Sequence, residues 1–382
     1  MSWELFRKII TVKYHFFKTI CIENIRLGSK LILDAHEIGT KRQKKSKNNK
    51  WMKLVALITL ILLIITISYG GFVFFKAKDA LNQSQINLNR KGGKSELRVE
   101  RGTFGKEPIS ILLLGVENYS TDGKDGRADT QIIITLNPKM NEMYMMTIPR
   151  DTRVTIENAG KYTGVHKINA AYTYGSITGY GAVKLQVETV EKLLNIPIDK
   201  VIAVDFDGFR DIVDAFGGVD IDIKEGFWEH NIYKNEKKIY FESGKSHLNG
   251  EESLAFVRMR YRDVNKSYPR EERQRQFLQA MINQATSTET IFKVGQITDI
   301  LGKNVKTDLT ATQIYALQKQ YSTITSSSIN TLNIDGTGLD TKEGWYYIPN
   351  KESLEKVSQK LRDSLEIDQV SNFTTNADIV VP

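Results

Sequence analysis

Apolar residues recur along this chain in three different rhythms. Near the start they fall at Trp3, Phe6, Ile10, Tyr14, Phe17, Cys21 and Ile25, steps of three and four that draw one stripe along a helix. From Leu54 to Phe75 the rhythm gives way to LVALITLILLIITISYGGFVFF, 22 residues without a charge. As a helix this run measures roughly 33 Å, enough to cross a hydrocarbon core of ~30 Å. It is longer than the apolar part of a cleaved leader, and no A-x-A-like site follows it. It therefore predicts an uncleaved signal anchor. Beyond Pro108, short apolar runs alternate with helical periods.

Ile109–Val116 (ISILLLGV) is almost continuously apolar, as a strand buried on both faces is. Strands are predicted at Gln131–Pro138 and Met143–Pro149, then a helix over Gly179–Leu194 and a strand at Val201–Phe206. Gly208–Phe216 follows as a helix closed by Gly217-Gly218, and Val219–Ile223 as a strand of period two. Leu248–Arg258 and Arg270 to about Ala285 are predicted helices, and Ile329–Asp335 a late strand. Strands and helices interleave, so the expected class is α/β with a central mixed sheet and helices on both faces. The predicted organisation is a basic cytoplasmic segment with an amphipathic helix (1–53), the anchor (54–75), a polar stalk (76–107), a folded domain (108–345), and a C-terminal helix and tail (346–382).

Charge sharpens this picture. The 382 residues carry a formal net charge of +8, but seven basic side chains and no acidic one fall within residues 41–53. Without that run the balance is 46 basic to 45 acidic residues, so no basic face for nucleic acid is expected. The run lies directly before the apolar span, which predicts residues 1–53 inside the cell and 76–382 outside. A lone cysteine excludes a disulfide scaffold and a cysteine zinc site. Beyond the anchor, the histidines His166, His230 and His247 have no ligand spacing, and no G-x-S-x-G elbow is present.

Arginine carries the chemical signal. Glu117, Arg127 and Asp129 surround the loop after the first strand, and Arg150 and Arg153 follow the third. Arg258, Arg260, Arg262, Arg270, Arg273 and Arg275 lie within 18 positions. Guanidinium forks suit bidentate phosphate recognition, and two loop carboxylates suit a hard cation that keeps water and phosphate as its other ligands. Together they describe a pyrophosphate clamp; solvated helix faces with ion pairs such as Arg262 with Asp263 are the alternative. Arg258 and Arg260 are two apart, so both reach one site only if the helix ends between them. Arg270 and Gln274 are four apart and share a face.

In order from Ile109 to Ala280, the pieces ILLLGV, GRADT, IPRDTRV, HKINAAYTYG, TVEKLLNIPID, VDFDGF, IVDAFGGVDIDI, LNGEESLAFVRMR and REERQRQ resemble the LytR–CpsA–Psr family. Its members are membrane-anchored enzymes that attach glycopolymers to bacterial cell walls. The resemblance implies a three-layer α/β/α sandwich with a hydrophobic groove for a polyprenyl tail and a pyrophosphate at its mouth. Carried over, the metal-binding acids are Glu117 and Asp129, holding Mg²⁺ or Mn²⁺. The catalytic, pyrophosphate-binding residues are Arg127, Arg150, Arg258, Arg260, Arg270 and Gln274, and Arg153 and Lys167 are substrate-binding. The sequence departs from the family in two places: Glu117 stands where aspartate is usual, and Ser267 where aspartate is common. The implied reaction moves a polyprenyl-pyrophosphate-linked teichoic acid, capsule or related polysaccharide onto peptidoglycan at a Gram-positive cell surface, releasing polyprenyl phosphate. A pyrophosphate hydrolase on the same donor and a non-catalytic, membrane-anchored envelope regulator or transcriptional attenuator are the alternatives. Metal-aided deprotonation, Asp151 and Asp263 are all open as the source of the base.

Overall fold

The structure is a computed structural model that describes residues 84–100, 102–117, 125–234, 237–285, 300, 302–310, 313, 316–317 and 329–378. The stripe from Trp3 to Ile25, the basic run and the apolar span Leu54–Phe75 lie outside those residues. Among the described residues no helix is long and apolar enough to cross a membrane.

The chain runs β1 (Ile109–Glu117), β2 (Arg127–Asn137), β3 (Glu142–Thr147), β4 (Arg153–Ile156), β5 (Gly164–Lys167), α1 (Ala170–Ile177), α2 (Ala182–Leu194) and β6 (Lys200–Asp205). It continues through α3 (Phe206–Ala215), β7 (Val219–Ile223), β8 (Phe227–His230), β9 (Lys238–Phe241), β10 (Gly244–Leu248), α4 (Gly250–Arg258) and α5 (Arg270–Ala285). It closes with β11 (Val305–Thr307), β12 (Ile329–Leu332), β13 (Gly336–Thr341), β14 (Gly344–Pro349) and α6 (Lys351–Ser364).

Six strands form one sheet in the order β11–β6–β1–β2–β3–β12. The β1–β6 and β3–β12 pairs are parallel and the other three antiparallel, so the sheet is mixed and the α/β class is as expected. The continuous apolar run of β1 follows from its place inside this sheet. Leu112, Leu114 and Val116 point to one face, where Val187, Val190 and Leu193 of α2 and Leu354, Val357 and Leu361 of α6 cover them. Ile109 and Ile111 point to the other, against Leu136, Met143 and Phe104. A second, smaller core joins α3, α4, α5 and the strands β7 to β10 around Phe227, Phe241, Phe256 and Tyr268. Asn249 starts α4 with a capping box: its side chain accepts from the Glu252 amide (3.0 Å), and the Glu252 side chain accepts from the Asn249 amide (2.9 Å).

Several expectations shift. The helix expected from Gly179 begins at Ala182, and α1 before it was not foreseen. Arg153 does not trail the third strand but opens the small hairpin β4–β5, where it faces Lys167. Leu248 ends β10 and does not begin α4. From Ser84 onward the segment expected to stand off as a stalk is tied down. Gln85 bridges to Thr307, Leu88 enters the main core, and Arg98 pairs with Asp199 at 2.6 Å. The hairpin β13–β14 reaches back to the β3–β4 connection: Thr152 bridges to Tyr347, and the Tyr347 amide donates to the Asp151 carbonyl at 2.9 Å.

Candidate active site

The chain ends of the sheet and the second core meet in a cleft of about 590 Å³. Glu117 comes from the end of β1, Arg127 and Asp129 from β2, and Arg150 from the turn after β3. Arg258 and Arg260 come from the end of α4, and Arg270 and Gln274 from the first turns of α5. All eight residues expected to bind metal or pyrophosphate thus line one cavity. Arg153 and Lys167 do not line it. Lys167 donates to Asp151 (2.9 Å), and the charged ends of both lie about a ring's width from Tyr346, at 6.0 and 5.7 Å from its centroid.

Local backbone geometry explains the convergence. Gly115 pairs with Thr130 and Val116 with Ala128, so Asp129 is the extra residue of a β-bulge. In an unbroken strand Asp129 and Thr130 would face opposite ways; the bulge lets both line the cleft. Position 115 has no room for a side chain, since a Cβ there would lie 2.9 Å from the Thr130 Cβ. The RMR segment resolves the question left by its spacing. Helix α4 ends at Arg258, and Met259 is extended at φ −51°, ψ 133°, so Arg258 and Arg260 both reach the cleft while Met259 is buried between them.

Arg273 holds that segment in place. It is fully buried and donates to the carbonyls of Phe256 (2.6 Å), Met259 (2.5 Å) and Tyr268 (3.3 Å) and to Asn265 Oδ1 (2.8 Å). Arg262 turns away and lies 3.4 Å from the centre of the Trp228 ring. The arginine cluster of the sequence therefore divides into Arg258, Arg260 and Arg270 at the cleft, Arg273 as a buried brace, Arg262 on a neighbouring hairpin, and Arg275 half-buried on α5 outside the cleft.

The clamp is crowded with charge. Burial lowers the Arg150 pKa to about 10, with repulsion from Arg260 adding to it and Asp151 opposing it. Burial also pushes Arg270 down. The Nε atoms of Arg150 and Arg270 and the Oε1 of Gln274 are buried without a hydrogen-bond partner. Desolvated guanidinium groups with donors to spare suit an anion. Asp129 accepts from Arg150 and from Asn169 Nδ2 (2.8 Å), and Gln274 Nε2 donates to Thr130 Oγ1 (3.1 Å).

Neither suggested base survives this geometry. Asp151 accepts from Arg260 (2.6 Å) and Lys167 (2.9 Å), with Arg150 Nε at 3.5 Å. Burial alone would raise its carboxyl; the Lys167 hydrogen bond, then Arg260 and Arg150, outweigh it and hold the group below its ordinary value. Asp151 is thus ionised at neutral pH, and its pairs persist until the pH falls through that lowered value, which makes it a poor proton acceptor. Asp263 is fully exposed, pairs with Lys266 at 3.1 Å and does not line the cleft. Ser267 is bonded to Glu225 (2.6 Å) outside the cleft, so that departure from the family leaves the lining intact.

Glu229 of β8, Asp125 before β2, and Tyr261 between two arginines also line the cleft and were missed. Glu229 accepts from the His230 amide (2.7 Å) and pairs with no cation among the described residues. Its short strand carries no motif, so only the fold reveals it. A second cavity of about 390 Å³ shares Asp125 and Gly126, with Val116, Tyr172, Ala203 and Val204 on its apolar side and Lys303 and Lys306 on its cationic side. Among the described residues no cluster of three or more His, Cys, Asp or Glu could cage a metal. Glu117 and Asp129 stand on neighbouring strands and line the same cleft, where both Asp129 oxygens already accept hydrogen bonds from Arg150 and Asn169.

Residues 72–363 match the model of the LytR_cpsA_psr family. The chain is 42% identical over 305 residues to the polyisoprenyl-teichoic acid–peptidoglycan teichoic acid transferase TagV of Bacillus subtilis, covering 79% of this chain and 76% of the relative. It is 37% identical over 304 residues to TagU of Bacillus cereus, which bears the same description, covering 78% of this chain and 92% of the relative. The TagV crystal structure superposes with a TM-score of 0.58 at 42% identity over 69% of this chain and 99% of that one. The structure of TagT bound to LI-WTA gives 0.59 at 27% identity over 74% of this chain and all of that one.

Proposed function

The chain belongs to the LytR–CpsA–Psr family, and from that membership we propose that it transfers a teichoic acid or related glycopolymer from a polyprenyl-pyrophosphate carrier to peptidoglycan. One observation carries the reading: arginines with unsatisfied donors and two carboxylates share a single cleft, the requirement for holding a pyrophosphate. The descriptions of TagV and TagU support the choice of donor and acceptor.

In this reading Arg127, Arg150, Arg258, Arg260 and Arg270 hold the pyrophosphate oxygens, and Gln274 stays oriented through Thr130. Glu117 and Asp129 would hold Mg²⁺ or Mn²⁺, which supplies charge neutralisation at the phosphate oxygens. A sugar hydroxyl of peptidoglycan forms a bond to the sugar-proximal phosphorus. The bond from that phosphorus to the bridging oxygen breaks, and its electron pair leaves with polyprenyl phosphate. The arginine forks stabilise the charge that grows on the leaving oxygens. The hydroxyl proton passes to Glu229, the cleft carboxylate contributed by the β8–β9 hairpin. The apolar side of the second cavity receives the start of the polyprenyl tail.

Glu229→Gln is expected to slow transfer roughly 100-fold or more with donor affinity unchanged. A rate within a few-fold of the parent would assign the base elsewhere. The general test incubates the full-length protein with lipid-linked teichoic acid, with and without peptidoglycan. Polymer joined to peptidoglycan is expected. Equal donor consumption without acceptor would identify a hydrolase, and no consumption a non-catalytic protein.

The same reading anchors the chain by Leu54–Phe75, with residues 1–53 in the cytoplasm and the cleft outside. Protease added to intact protoplasts is expected to degrade the large C-terminal part and spare an N-terminal tag. The reverse pattern would invert the orientation.

A further inference from the structure

Tyr261 and Tyr240 are 79% and 70% exposed, more than any other aromatic side chain among the described residues. Both belong to one continuous edge. Tyr240 is the cross-strand partner of Trp228 in the β8–β9 hairpin, and Arg262, next to Tyr261 in the chain, lies on the Trp228 ring. Strand alternation puts Trp228, His230, Lys238 and Tyr240 on the outer face of the hairpin. The inner face carries Phe227 and Phe241, each 5.8 Å from Phe256 in the second core, so the platform is firmly backed. Lys238 sits 4.2 Å from the Trp228 ring centre. Glu229 and Ile239 share that inner face, and the platform meets the cleft at Tyr261, which lines it.

Exposed tyrosine rings offer a flat apolar body with a polar tip, the surface on which the C–H face of a pyranose lies. Lys238 and Arg262 add positive charge, which complements the carboxylates of the peptide stems that a peptidoglycan strand carries. We infer that the outer face of β8–β9, continued by Tyr261, is the acceptor subsite, holding the sugar rings of a peptidoglycan strand whose hydroxyl enters the cleft past Tyr261. The inference rests on the transferase reading and gives it a direction: donor against the arginines, acceptor along the hairpin.

The test uses the full-length protein in detergent with insoluble peptidoglycan stripped of teichoic acid. Cosedimentation gives the affinity for the acceptor, and transfer assays give half-saturation for acceptor and donor separately. Tyr240→Ala and Tyr261→Ala are expected to weaken cosedimentation and raise acceptor half-saturation about tenfold, and in Tyr240→Ala, whose ring lies outside the cleft, donor half-saturation is expected to move less than about twofold. Tyr240→Trp, which keeps a ring, is expected to stay within about twofold of the parent. Thermal melts confirm that each variant folds. Unchanged acceptor affinity in both alanine variants would overturn the inference. An equal rise for donor would also overturn it, because the rings would then hold the emerging donor polymer. If the parent protein transfers nothing, the transferase reading fails, and cosedimentation of the variants against the parent still decides whether this edge binds glycan.

Discussion

Asp129→Asn is expected to leave a folded protein that transfers at least ~100-fold more slowly. The substitution keeps the size of the side chain but removes its charge and turns an N–H₂ toward either Arg150 or Asn169, both donors. Losing one hydrogen bond at a half-buried site costs about 1–3 kcal/mol of stability, which a domain of this size survives. The effect on rate is larger, because two groups fail together. The proposed cation site loses one of its two carboxylates, and Arg150 loses the partner that aims it. Each charge-assisted contact is worth about 1.5–3 kcal/mol, or roughly 10- to 150-fold in rate if realised in the transition state. Glu117→Asp, which restores the residue usual in the family, is the companion variant and is expected to keep at least about a third of the activity. Initial rates and Mn²⁺ binding by the full-length chain check both. Full activity and unchanged Mn²⁺ affinity in Asp129→Asn would mean that this carboxylate only braces Arg150.

The second large effect is on stability. Arg273→Leu removes a fully buried guanidinium and leaves the carbonyls of Phe256, Met259 and Tyr268 without their side-chain donor, while Asn265 Oδ1 keeps only the Arg270 amide (3.0 Å). Burial lowers the Arg273 pKa to about 10, so the charge is already held at a cost, and its hydrogen bonds are what justify it. Stranding several buried acceptors at once is expected to cost about 3–5 kcal/mol, a fall in melting temperature of roughly 6–20 °C. Because Met259 is one of the acceptors, the extended link that separates Arg258 from Arg260 loosens as well, and transfer falls even below the melting transition. Calorimetry on the full-length protein and initial rates at 20 °C separate the two effects. A melting temperature within 2 °C of the parent would remove Arg273 from its bracing role.

What the sequence shows and what it hides follow from how far each feature depends on distant contacts. Strand β1 announces itself because a strand with strands on both sides and cores above and below must be apolar at nearly every position. The hairpins β4–β5 and β8–β9 do not, because four-residue strands are too short for alternation to stand out. The arginines are easy to find and hard to sort. Arg270, Arg273 and Gln274 fall within two turns of a helix whose first half, REERQRQ, has almost no apolar stripe to mark its inner face. Only the second core decides that Arg273 points in. The eight cleft residues came from motif resemblance, and the fold places them together for reasons the motifs do not state, such as the bulge at Asp129 and the break at Met259. Glu229 and Tyr261 lie outside any motif and depend wholly on where the hairpin and the RMR segment come to rest.

The bridge between Thr152 and Tyr347 has a consequence in time. The loop bearing Arg150 and Asp151 is latched by a hairpin drawn from the last eighth of the chain, and α6, later still, covers the sheet that supports it. A polypeptide that emerges N-terminus first cannot set Arg150 and Arg260 around their shared Asp151 until its final segments have arrived. The order of synthesis thus works as a safeguard. A chain that has not yet made the β13–β14 hairpin and α6 has no latched clamp.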